Sequence, residues 1–134
     1  MSGWWDDWPA IVSMYRSLPA VLRAQRHLGR ARRLRSEGRP LEAFHLALPA
    51  CGVLAELAGE GHPGASGIIA FDAAWLDDLA KEVGQPGAAR EEMQRALRVC
   101  EEVAGRSPKL QATLREYIAW YKHRLAEQAA AKLH

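Results

Sequence analysis

Cysteine is nearly absent from this chain, and the β-branched residues that favour strands are sparse. Only Cys51 and Cys100 occur in 134 residues, which excludes a disulfide-stapled scaffold. Each sits inside an apolar helical stretch, the setting of a buried structural thiol in a reducing compartment. Val, Ile and Thr are thin beside Ala, Leu, Arg and Glu, and no stretch sustains period-two alternation, so a sheet is not expected. No window approaches 18 uninterrupted apolar residues, so no membrane span is expected either. The N-terminus, Met1 to Pro9, places Asp6 and Asp7 where a secretory leader needs bases, and no apolar core follows. The expected location is the cytoplasm. Glycine-rich phosphate loops and Cys-x-x-Cys pairs are also missing.

What is present is ordinary for a globular domain: 49% hydrophobic and 25% charged residues. At this length a single domain is expected, able to bury roughly two-thirds of its unfolded surface without metal or disulfide support. Arginine outweighs lysine and alanine is heavily used, a composition typical of GC-rich bacterial genomes. The net charge is only +2, but it is unevenly spread. Residues 1–36 hold seven arginines (Arg16, Arg23, Arg26, Arg30, Arg32, Arg33 and Arg35) against two aspartates, leaving the remainder net acidic. Such a dipolar molecule can steer acidic partners or stack on itself.

Gly and Pro punctuate the chain into an all-α architecture of about six helices, near 8–17, 19–37, 40–59, 65–83, 86–105 and 108–131. Pro9 and Pro19 sit well as early helical residues. Gly38-Arg39-Pro40, Gly84-Gln85-Pro86, Gly59 to Gly64 and Gly105 to Pro108 are the breaks. Pro49, inside the third helix, predicts a bend or a split. The last residues, Ala129 to His134, are expected to fray.

The sequence also repeats. Shifted by 46 residues, Gly38, Pro40, Ala43, Ala50, Val53, Glu56, Ala58 and Gly59 fall on Gly84, Pro86, Ala89, Ala96, Val99, Glu102, Ala104 and Gly105. A period in the range of about 20–50 residues marks stacked supersecondary units. The turn glycine followed by two alanines, Gly38-Ala43-Ala50 and Gly84-Ala89-Ala96, resembles the second-helix signature of tetratricopeptide repeats. The first-helix signature departs from that family: its aromatic position holds His27 and Ala73, its Leu-Gly pair is Arg30-Ala31 and Leu76-Asp77, and the spacing of 46 is long. The resemblance implies a short right-handed stack of antiparallel hairpins within one domain, 1–134. It divides into a capping helix (1–18), hairpins at 19–59 and 65–105, and a C-terminal capping helix (108–131). A generic irregular helical bundle is the competing architecture. Two repeats do not close themselves, so Trp4, Trp5, Trp8 and Tyr15 at one end and Tyr117, Trp120 and Tyr121 at the other are read as caps; exposed, they would mark a partner surface or an interfacial anchor.

The candidate binding residues follow from the same resemblance, which places the ligand groove on the first helix of each pair. This puts Gln25, Leu28, Arg32, Arg35 and Ser36, then Phe71, Ala74, Asp78, Lys81 and Glu82, on the concave side. Arg32, Arg35 and Lys81 would clamp an acidic segment or C-terminal carboxylate of a partner protein. Independently, Arg23, Arg26, Arg30 and Arg33 form one helical stripe, either a basic interface or a solvated face. The repeat register turns Arg26, Arg30 and Arg33 toward a preceding helix, a conflict for three charges.

No catalytic constellation is evident. Glu42-x-x-His45 has di-iron spacing but no second copy. Asp72, Asp77 and Asp78 are read as solvated, His62 has no metal-ligand neighbours, and Cys51 and Cys100 have no evident base. The expectation is therefore a non-catalytic adaptor, cognate-partner chaperone or toxin antidote without cofactor or metal. The alternative is a self-associating module, such as a homodimer, that joins basic and acidic faces. Nucleic acid ranks below both, because aromatics do not interleave with the arginines.

Overall fold

The computed structural model describes residues 8–131. Among these the chain is all-α: α1 (Trp8–Ser36), α2 (Pro40–Gly59), α3 (Pro63–Glu82), α4 (Arg90–Arg106) and α5 (Gln111–Ala131), with no strand. Five helices replace the six expected, because the first two are one. Pro19 lies inside α1 without ending it. Its missing N–H and its ring deprive the Tyr15 carbonyl of a helical partner, and that turn is solvent-exposed, where water replaces the bond. Pro49 likewise stands inside an unbroken α2 at an exposed position. Conversely, Pro86 opens no helix; residues 86–89 form turns and α4 begins at Arg90. Where fraying was expected, Ala129, Ala130 and Ala131 belong to the final helix; Lys132, Leu133 and His134 lie outside the described residues.

The turns predicted at Gly38 and Gly84 share one hydrogen-bond pattern. Gly38 N–H donates to the Arg35 carbonyl and Arg39 N–H to Leu34; 46 residues on, Gly84 donates to Lys81 and Gln85 to Ala80. Both glycines have left-handed backbone, φ 79° and 77°, which closes a helix in this way at no Cβ cost. Entry into α3 uses a different device. The His62 side chain accepts a hydrogen bond through Nδ1 from Ala65 N–H at 3.2 Å, and Pro63 takes the first helical position, where no N–H is needed.

Successive helices pack against each other, and α2 also touches α4. α2 is therefore the central helix. Ala43, Phe44, Ala47, Ala50, Cys51, Leu54, Ala55 and Ala58 are all buried, more than the single stripe that a surface helix buries. Among the described residues α2 is also the helix with the length and apolarity of a membrane span, although its sequence is not uninterrupted. Its position between α1, α3 and α4 accounts for that apolarity. Small residues dominate the contacts, with Ala31, Ala43, Ala47, Ala73, Ala80, Ala89 and Ala96 wholly or almost wholly inaccessible, so the helix backbones approach closely. Repeat partners Ala43 and Ala89, and Ala50 and Ala96, are buried alike.

Longer side chains join α3 to α1 and to α5. Tyr121 of α5 is fully buried, and its hydroxyl donates to the Ala70 carbonyl of α3 at 2.7 Å. Truncating a core aromatic of this kind costs about 3–5 kcal/mol.

Candidate functional site

The face shared by α1, α3 and α5 gathers most of the sequence-nominated binding residues, but in an altered role. Arg32 reaches from α1 to Asp72 of α3 (Nη2–Oδ1 2.7 Å), and its guanidinium lies 4.6 Å from the centre of the Trp75 ring. Arg35 reaches Glu82 (Nε–Oε2 2.8 Å) and lies 5.9 Å from the same ring. Both expected clamp arginines thus have acidic partners within the chain and a tryptophan beneath them. Each bond uses one nitrogen of a group that carries five N–H donors, and the Arg32 side chain stays 46% exposed.

Leu28, expected on the groove, points into the core at 3% exposure; it is a packing residue, because α2 occupies that side of α1. Gln25, Ser36, Asp78, Lys81 and Glu82 are exposed. Phe71 is 45% exposed and packs edge-on against Tyr117, centroids 4.9 Å apart. That ring borders an apolar cleft of about 490 Å³ between α3 and the α4–α5 junction, lined also by Val99, Val103, Leu110 and Leu114.

Asp77 overturns the expectation of a solvated acid cluster. It is wholly buried. Gln128 donates to its Oδ1 at 2.9 Å, Arg124 approaches Oδ2 at 3.4 Å, and Lys81 stands 4.0 Å away. Arg124 also bonds Asp78 at 3.1 Å and stacks 4.7 Å over Trp120. Burial pushes the Asp77 carboxyl above its ordinary range, outweighing the nearby Arg124 charge and the Gln128 bond. Asp72 is raised for the same reason, burial exceeding the pull of Arg32. The Asp77 network is the feature that sequence reasoning missed. Its signal was present in phase: Asp77 falls on the repeat position of buried Ala31, so helical register put it inside.

The basic stripe behaves differently. Arg23, Arg26, Arg30 and Arg33 are exposed, and no ion pair engages them among the described residues. The conflict over Arg26, Arg30 and Arg33 dissolves with the corrected helix count, since residues 8–17 continue α1 and do not form a helix packed on its face. The caps divide: Tyr121 is core, Tyr117 and Trp120 are half-buried against it, and Tyr15 is 70% exposed. Trp4 and Trp5 lie outside the described residues, as does the side chain of Trp8.

The remaining candidates resolve to structural roles. Glu42 pairs with Arg39 (2.9 Å) while His45 is exposed, and His62 is the helix cap described above. Both thiols are buried and free. Burial, aided by the Asp72 carboxylate, pushes Cys51 up to about 12; burial, aided by Glu101, pushes Cys100 up to about 11. Both shifts disfavour the thiolate, the form in which a cysteine acts as a nucleophile. Glu92, almost fully buried, rests beside Gly52 of α2 with its Oε2 lacking a hydrogen-bond partner. Burial raises its pKa, with the neighbouring Glu91 adding to the effect. Among the described residues no three His, Cys, Asp or Glu side chains are grouped to hold a metal ion.

These observations define an all-α protein with a charge-laced face built from alternate helices. Comparison with known proteins returns no match: no family model, no curated protein and no solved structure corresponds to this chain.

Proposed function

We propose that this chain is a non-catalytic protein-interaction module, a short tetratricopeptide-like stack acting in the cytoplasm as an adaptor, a cognate-partner chaperone or an antidote. Its α1/α3/α5 face would receive an acidic segment or C-terminal carboxylate of another protein. The observation that carries the reading is the pair Arg32 and Arg35 held side by side over Trp75. Their internal partners hold both guanidiniums through one nitrogen each and leave the side chains partly exposed, so a docking carboxylate would meet preorganised forks and lose less side-chain entropy. The in-phase turns at Gly38 and Gly84, and the matching burial of Ala43 with Ala89 and Ala50 with Ala96, support the repeat architecture behind it. Gln25, Phe71, Asp78 and Lys81 complete the contact surface; Asp78 and Glu82 restrict it to partners that tolerate acid at the edge.

An array of acidic decamer peptides, each with a free or an amidated C-terminus, tests this directly. Wild-type protein binds a subset, and Arg32→Gln/Arg35→Gln loses that binding while retaining its helical circular dichroism. Equal binding by the double variant, or none by the wild type, defeats the reading.

A second reading rests on charge. α1 carries seven arginines and no acidic residue, whereas the rest of the chain is net acidic. A self-associating module would join those faces between copies, as a homodimer or a longer stack. Light scattering over a concentration series separates the two, since such contacts raise the mass and are abolished by salt.

A further inference from the structure

The outward side of α1 is not only basic. Tyr15, Leu18 and Leu22 are 70%, 41% and 45% exposed, and their spacing of three and four residues aligns them on one face. Arg16, Arg23, Arg26, Arg30 and Arg33, all exposed, form a second stripe about 80° further round the helix axis at 3.6 residues per turn. The core residues Val21, Ala24, Leu28 and Ala31 occupy the opposite side. Helix α1 is thus amphipathic twice over: one apolar stripe is satisfied by α2, and another, bordered by unpaired arginines, is satisfied by nothing within the described residues.

Length sets where this surface lies. α1 has 29 residues and its antiparallel neighbour α2 has 20. At 1.5 Å per residue α2 is therefore about 13 Å too short to run beside the whole of α1. The surface belongs to one helix. A groove-forming partner is not needed to cover it, whereas a flat, deformable one fits.

We propose that this face of α1 is a peripheral binding site for an anionic lipid surface. The arginines would sit among acidic headgroups with their aliphatic stems snorkelled, while Tyr15, Leu18 and Leu22 enter the headgroup–acyl boundary. Charge complementarity selects an anionic occupant. The exposed apolar stripe beside it favours lipid over duplex nucleic acid, whose phosphate backbone gives leucine nothing to enter.

The test is co-sedimentation of the full chain with vesicles of phosphatidylcholine alone or mixed equally with phosphatidylglycerol, in low and high salt. Binding to the mixed vesicles is expected, with little to phosphatidylcholine and a fall as salt rises. Arg23→Gln/Arg26→Gln/Arg30→Gln/Arg33→Gln lowers affinity by about a hundredfold or more, since each surface cation contributes roughly fivefold. Tyr15→Gln/Leu18→Gln/Leu22→Gln lowers it by about tenfold or more. Glutamine is a good helix former and every altered side chain is exposed, so both variants keep their helicity. The proposal fails if mixed vesicles do not sediment the protein in low salt. It also fails if the apolar variant binds as the wild type does, which would reduce the surface to charge alone. A 20-base-pair duplex bound more tightly than mixed vesicles at the same salt overturns it in favour of nucleic acid. None of these outcomes depends on Arg32, Arg35 or the α1/α3/α5 face, so failure here leaves the peptide-binding reading to its own test.

Discussion

Replacing Arg124 by methionine isolates the electrostatics of the Asp77 site. The change keeps an aliphatic stem against Trp120 and removes the charge facing Asp77 and Asp78. Breaking a fully buried ion pair from one side costs about 3–5 kcal/mol, because the remaining charge is left without compensation. Two features reduce that figure. The Arg124 side chain is 21% exposed, so water screens part of the attraction, and Gln128 and Lys81 stay beside the carboxylate. The expected loss is therefore about 2 kcal/mol at pH 7. With a urea m-value of about 2 kcal/mol per molar, the midpoint followed by circular dichroism falls by about 1 M. The charge on Asp77 causes the loss, so neutralising it must reverse it. In the Arg124→Met background, Asp77→Asn recovers about 1 kcal/mol or more, although the same change in the wild type is destabilising. Acid acts in the same sense: once Asp77 is protonated, the Arg124→Met penalty shrinks toward that of a surface substitution. An Arg124→Met loss below about 0.5 kcal/mol, unaffected by Asp77→Asn or by pH, would refute the reasoning and make this a surface pair.

Glu92→Gln removes a buried carboxylate with an unpartnered oxygen and should stabilise the protein by about 1 kcal/mol at pH 7, seen as a higher melting temperature. The folded-state pKa of Glu92 is raised, so wild-type stability at this site is fullest below the unfolded carboxyl pKa and declines as pH climbs through the folded value; the advantage of glutamine therefore vanishes in acid. Gly38→Ala and Gly84→Ala each force a side chain into left-handed backbone and should cost about 1–2 kcal/mol in urea titrations, by similar amounts because the two turns are alike. Cys51 and Cys100 should resist a thiol-specific chromogenic reagent in the native protein and both react in urea, given their burial and raised pKa values; prompt native reaction of either would contradict the packing.

Pro19 and Pro49 show why element number was harder to read than element type. Proline weakens one helical bond, but whether a helix stops there depends on whether water or a neighbour satisfies the released carbonyl. At Gly38 and Gly84 no such choice existed: glycine in the left-handed region closes a helix locally, and both turns lie where they were expected. Leu28 and Asp77 mark the opposite failure. Each was assigned to an open surface from its repeat position or its polarity, and the placement of α2 and α5 decided otherwise. Arg32 and Arg35 were assigned to a groove as a clamp on a partner, yet they pair within the chain with acids 40 and 47 residues away in sequence, a pairing that no local pattern encodes.

The order of residues by itself determined that the chain is helical, where its turns fall, and that its positive charge gathers in the first helix, because propensity, glycine geometry and composition act over a few residues. Only the tertiary structure decided which of the described arginines are ion-paired and which are not, which aspartate is buried, and which leucines are exposed. Those outcomes depend on which helices lie side by side, and burial and Coulombic attraction act through space between residues that the chain holds far apart.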